Sequence, residues 1–103
     1  MDNTLTLQGF TNLDPSEIER LEELIAKNLK KINLRSEYTN LRIELKQHKH
    51  SKEINHEISA ILFLKKNRIN AETSDKNIYK ALQNVFDKLL AEIEHKNKKT
   101  HDY

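Results

Sequence analysis

Between Leu5 and Ile93 the interval at which apolar residues return changes three times, and the changes divide the chain into six elements. Leu5 and Leu7 alternate with Thr4, Thr6 and Gln8, a period of two that predicts a first strand, ended by Gly9. Ile18, Leu21, Ile25, Leu29 and Ile32 follow at spacings of three and four, which at about 100° per residue stack on one face of a helix. Its start is marked by Asp-Pro-Ser-Glu: Asp14 at the N-cap, Pro15 at the first helical position and Glu17 where a capping box needs its acid. The helix is expected to run to about Ile32. Beyond Asn33 the period returns to two, with Leu41, Ile43 and Leu45 between Asn40, Arg42, Glu44 and Lys46. A third strand carries Ile58, Ala60, Leu62 and Leu64 on one side and Ile61 and Phe63 on the other, as a central strand would. A turn near Lys66 and Asn67 leads to a short fourth strand holding Ile69 and Ala71. Asp75 is the expected cap of a second helix, whose buried stripe is Ile78, Leu82, Val85, Phe86, Leu89 and Ile93.

The order is strand, helix, three strands, helix, with no linker and no internal repeat. Each helix must bury one apolar stripe, and the sheet offers one apolar face. These elements predict an α+β two-layer domain, β-α-β-β-β-α, with both helices packed on one face of a four-stranded sheet and the other face open. The first strand, crossing over through a helix, is expected to lie parallel to its neighbour, and the last three to form an antiparallel meander.

Composition narrows the class. One glycine, one proline, 33% charged and 36% apolar residues over 103 positions fit one soluble globular domain, with an ordered core from about residue 4 to 97 and a short basic C-terminal tail. The absence of cysteine excludes disulfides, thiolate metal sites and a cysteine nucleophile, and fits a reducing compartment. No apolar run approaches the roughly 20 residues of a membrane span, and Met1 to Phe10 lacks a basic region followed by an apolar one, so a cytoplasmic protein without a membrane partner is expected.

The net charge of +2 hides an asymmetry. Residues 1–26 hold one base, Arg20, against Asp2, Asp14, Glu17, Glu19, Glu22 and Glu23, a balance of −5, while residues 27–103 stand at +7. On the second helix, Lys80, Asn84, Lys88, His95, Lys98 and Lys99 project into one arc of about 100°, interrupted by Ala91 and edged by Asp87 and Glu94. Lys27, Lys30, Lys31 and Arg35 add a basic end to the first helix. Such charges also complement helix dipoles or simply solvate a face, but a ridge of like charges repels itself unless a partner neutralises it. Phosphate is the natural partner. The candidate RNA-binding set is therefore Lys27, Lys30, Lys31, Arg35, Lys80, Lys88, His95, Lys98 and Lys99.

Catalysis finds no support: no glycine-rich elbow, phosphate loop or metal-spaced cluster accompanies the serines, acids and histidines. His48 and His50 share a strand face with His56 across a turn, but lysines surround them and no carboxylate completes a metal set. Their protonation would enlarge the basic surface instead. No cofactor, metal or small-molecule substrate is expected.

The second helix, from Ile78 to Lys99, resembles that of the short ribosome hibernation promoting factors and the related ribosome-associated inhibitor, protein Y. The family pattern of an aromatic, Ala and an aliphatic, then Asp-Lys-Leu and a basic tail, is met here by Tyr79, Ala81, Leu82, Asp87, Lys88, Leu89 and Lys99. The resemblance covers nearly the whole chain. It implies a protein, monomeric when free, that occupies the mRNA and tRNA channel of the small ribosomal subunit in starvation, touches rRNA through basic helix faces and inhibits translation by occlusion. Departures are Ala91 and Glu92, where the family often has Arg-Gln, and Gln83, where it often has an acid. Ending at Thr-His-Asp-Tyr, the chain is expected to lack the extra domain of long hibernation factors and the extended tail of protein Y. A general double-stranded RNA-binding module, or a protein-interaction domain that binds no RNA, would use the same architecture.

Overall fold

The computed structural model describes residues 4–101 of the chain, and the side chains of residues 4–96. Six elements follow in order: β1 (Thr4–Gln8), α1 (Pro15–Arg35), β2 (Asn40–His50), β3 (Glu53–Phe63), β4 (Arg68–Asp75) and α2 (Ile78–His101). The sheet order is β1-β2-β3-β4, with β1 parallel to β2 and the rest antiparallel, as the crossover through α1 requires.

Register explains the two-layer form. Leu5 and Leu7 stand beside Leu41 and Ile43, Leu41 opposite Leu62, Ile43 opposite Ala60, and Leu62 and Ala60 opposite Ile69 and Ala71. Residues directly opposite share a face, so all these side chains line one side of the sheet. There they join Leu21, Ile25 and Ile32 of α1 and Ile78, Ala81, Leu82, Val85, Phe86, Leu89 and Ile93 of α2 in one core. Thr73 ties the layers together, its hydroxyl donating to the Ala81 carbonyl at 2.7 Å. The interior strand β3 also half-buries Ile61 and Phe63 on the open face. Leu5 and Leu7 remain 40% and 38% exposed, because β1 is an edge strand.

Local signals act as physical chemistry dictates. Asp14 caps α1, with its backbone N–H donating to Glu17 Oε1 at 3.4 Å and its carbonyl accepting from the Ile18 N–H at 3.0 Å. Gly9 has φ +84°, and a Cβ there would run into the Leu45 carbonyl, so β1 must end in glycine.

Three boundaries differ from expectation. α1 continues one turn past Ile32 to Arg35. β3 stops at Phe63, and Leu64 enters the turn, where its N–H donates to the Asn67 carbonyl at 2.8 Å. Asp75 does not cap α2: it ends β4, opposite His56, and its carboxylate accepts from the Asn77 N–H at 2.8 Å. Asn77 is the cap, its Oδ1 accepting from the N–H groups of Tyr79 (2.9 Å) and Lys80 (3.2 Å). The strand that holds His48 and His50 is present as expected, with β2 and β3 paired as far as His50 opposite Glu53.

Candidate nucleic-acid interface

Three contacts between the helices occur in the same order along both, so α1 and α2 run side by side in one direction. Near the start, the Arg20 guanidinium lies over the Tyr79 ring, 4.6 Å from its centroid. In the middle, Asn28, fully buried, and Gln83 exchange amide hydrogen bonds of 3.0 and 3.2 Å. At the end, Arg35 Nε meets Glu94 Oε1 at 3.4 Å. The middle contact fixes the axial alignment. Asn28 has no water to turn to and also donates to the Leu24 carbonyl at 2.9 Å, so sliding one helix along the other would strand buried amides.

Parallel helices bring their basic C-terminal ends together. Lys27 and Lys30 are exposed and lie on the side of α1 away from Leu21, Ile25 and Ile32, while Lys31 flanks the seam with α2. Across the seam Lys80 and His95 are exposed on the side of α2 away from its buried stripe. Lys27, Lys30, Lys31 and Lys80 form no ion pair among the described residues.

Two members of the set are engaged. Arg35 pairs with Glu94 and also donates from its guanidinium to the Lys31 carbonyl at 3.1 Å. Lys88 leans from α2 to the edge of β4, where its ammonium donates to the Glu72 carbonyl at 2.8 Å. Beside it, Ala91 and Glu92 leave a shallow trough of about 500 Å³ against Asn70, Ala71 and Glu72. Lys98 and Lys99 lie outside the residues whose side chains are described.

The histidines divide between faces. His48 meets Glu57 Oε2 at 3.5 Å on the open side of the sheet. His56, opposite Gln47, projects to the other side, with Nδ1 at 3.3 Å from the Asp75 carbonyl. No group of three or more potential metal-ligating His, Cys, Asp or Glu residues occurs among the described residues. No described helix is long and apolar enough to cross a membrane.

Residues 11–101 match the family model described as Sigma 54 modulation protein / S30EA ribosomal protein. No curated protein matches the chain at a significant level. Among solved structures the chain is similar to a ribosomal subunit interface protein from Coxiella burnetii, at 19% identity and a TM-score of 0.69 over 92% of this chain and 98% of that one. It is also similar to the N-terminal domain of Protein Y from Thermus thermophilus, at 16% identity and a TM-score of 0.56 over the same shares. What both share with this chain is the fold.

Proposed function

The chain belongs to the Sigma 54 modulation protein / S30EA ribosomal protein family, and from that membership and its paired basic helix ends we propose that it is a ribosome-binding inhibitor of translation. It acts as one domain, monomeric when free, in the cytoplasm, where ribosomes work. Its target is the rRNA of the small subunit, in the channel that mRNA and tRNA otherwise occupy. The two similar structures support this reading, one being a ribosomal subunit interface protein and the other the N-terminal domain of Protein Y.

Inhibition of this kind requires occupancy and no bond chemistry. Ammonium groups facing phosphates release condensed counterions, which supplies salt-dependent affinity, while the rigid helix pair fits the shape of the site. Starvation or stationary phase, when idle ribosomes accumulate, is the condition in which such a hibernation factor is useful.

The observation that carries the reading is the co-directional packing of α1 and α2, which joins the basic faces of the two helices into one outward surface, from Lys80 in the first turn of α2 to Lys27, Lys30 and Lys31 in the second half of α1, free of carboxylate partners at these four among the described residues. Replacing Lys30, Lys31 and Lys80 together with Glu is expected to abolish cosedimentation with small subunits at moderate salt and to leave the melting temperature within about 2 °C, since all three are exposed. Undiminished cosedimentation would remove the helix surface from the mechanism. In the same assay, effective competition by a plain RNA duplex would point to a general double-stranded RNA-binding module.

A further inference from the structure

The hairpin of β2 and β3 outruns the sheet that supports it. β1 ends at Gln8, beside Glu44, so the six residues from Leu45 to His50 have no paired strand on that side, a stretch of about 20 Å at 3.3 Å per residue. β4 ends opposite His56, leaving Glu53 to Asn55 unaccompanied on the other side. The ribbon closes through Ser51 and Lys52, with Ser51 at φ +61°. Every residue from Lys46 to Ile54 is exposed, and Ile54 is the one apolar side chain among them.

A two-stranded ribbon that buries little apolar surface is marginal by itself. Lysines on its free edges would be explained by the need to prevent edge-to-edge pairing. That explanation covers a lysine or two on a short edge. It does not account for the length of the ribbon, nor for how its charges are partnered. The two acids of the returning strand are occupied, Glu53 by Lys76 at 2.8 Å and Glu57 by His48 at 3.5 Å. Lys46, Lys49 and Lys52 form no ion pair and no side-chain hydrogen bond among the described residues. Three ammonium groups without an ion pair among the described residues, Lys46 among them opposite Glu57 in the register, thus stand toward one end of a molecule 53 Å long, and the ion pair to Lys76 places that end beside the start of α2, opposite the Arg35–Glu94 end.

We propose that the hairpin tip is a second RNA contact, in which Lys46, Lys49 and Lys52 take phosphates of an RNA segment separate from the one held by the helix ends. This rests on the ribosomal reading and adds a second anchor to it. Anchors at opposite ends of a rigid body convert the second contact into an intramolecular event and fix orientation, which one basic patch cannot do. RNA is the partner that fits. The tip offers cations, and proteins that coat RNA present basic surfaces of their own.

The test is binding of the full-length chain to purified small subunits across a range of KCl concentrations, for the wild type, for Lys46→Glu/Lys49→Glu/Lys52→Glu and for the helix-surface triple variant. The tip variant is expected to bind at least tenfold more weakly near physiological salt. The slope of log affinity on log salt should flatten by about 2, from roughly 0.7 per lost phosphate contact. Its melting temperature should be unchanged, and Lys→Arg at all three positions should retain wild-type binding. Wild-type affinity and slope in the Glu variant would overturn the proposal while leaving the helix surface standing. Weaker binding with an unchanged slope would assign the tip to a ribosomal protein and overturn it too. If the wild type fails to bind small subunits, the ribosomal reading falls and this one with it.

Discussion

The two ends of the molecule carry similar cations on very different foundations. At the helix end, Lys27, Lys30 and Lys31 ride on a helix whose other side contributes Leu21, Ile25 and Ile32 to the core, and α2 beside it buries seven residues from Ile78 to Ile93. At the hairpin end, Lys49 and Lys52 sit on a ribbon supported by neither neighbouring strand, and Lys46 where β4 alone still flanks it. The helix end also has its own restraint, the Arg35–Glu94 pair, whereas the lysines of the tip have none among the described residues. Counting charge would rank the two ends equal. Foundation separates them: one set of cations stands on helices packed over the core, and the other on a ribbon with little buried apolar surface beneath it.

The strongest way to break this contrast is to attack both ends by truncation. Phe86 is fully buried beneath α2 and Ile54 is 43% exposed on the tip. Phe86→Ala is expected to cost about 3–5 kcal/mol in urea unfolding, through lost burial and the cavity left behind. Ile54→Ala should stay within about 0.5 kcal/mol, as substitutions away from a core do. Comparable losses at both positions would mean that the ribbon is packed against something and that the two ends are built alike.

A smaller effect sharpens the contrast at the seam. Asn28→Ala leaves the Gln83 carbonyl without its partner and opens space at a site with no exposure, for an expected loss of about 1–3 kcal/mol. Gln83→Ala removes the donor to the buried Asn28 Oδ1 and the bond to Asp87 Oδ1 at 2.9 Å together, so it should cost a similar amount. A double-mutant cycle on the pair should return a coupling of about 1 kcal/mol. Zero coupling would show that apolar packing alone holds the helices in line.

That pair also marks where the chain's pattern stops being readable. The α2 stripe Ile78, Leu82, Val85, Phe86, Leu89 and Ile93, and the alternation of Leu41, Ile43 and Leu45, are legible because each apolar residue meets one uniform environment, and all nine are buried. Asn28 is equally buried, but a polar residue beside a helical stripe looks like solvated surface until its partner 55 positions away is known. The same blindness affects the hairpin. Lys46 to Lys52 are polar on both faces, so the period of two vanishes just where the strand continues without a core beneath it. The cap of α2 is ambiguous in the sequence for a related reason, since Asp75 and Asn77 are both capable caps and only the reach of β4 decides between them. Of the basic ridge, the helical period places Lys80, Asn84, Lys88 and His95, all exposed, on one side of α2, while Lys98 and Lys99 lie outside the residues whose side chains are described. It does not reveal that the edge of β4 stands close enough for Lys88 to donate to the Glu72 carbonyl, nor that Glu94 faces the neighbouring helix.

Glu94 offers the finest discrimination between the two ends. Its side chain is 65% exposed and that of Arg35 40%, so the pair works in high dielectric and is worth about 0–0.5 kcal/mol to the fold. Glu94→Gln should therefore leave the melting temperature almost unmoved. Its effect on RNA binding should be visible nonetheless, because the substitution removes one negative charge from the edge of the basic surface and relieves Arg35 of an acidic partner. Affinity for small subunits is expected to rise by a few fold at low salt and to converge with the wild type as salt screens the difference. The effect of this substitution should simply add to that of charge reversal at the distant hairpin tip, with no coupling between them, since contacts so far apart combine independently. An affinity that does not move in Glu94→Gln would place the Arg35 end of the helices outside the RNA contact and leave Lys80 and the tip to hold the ribosome.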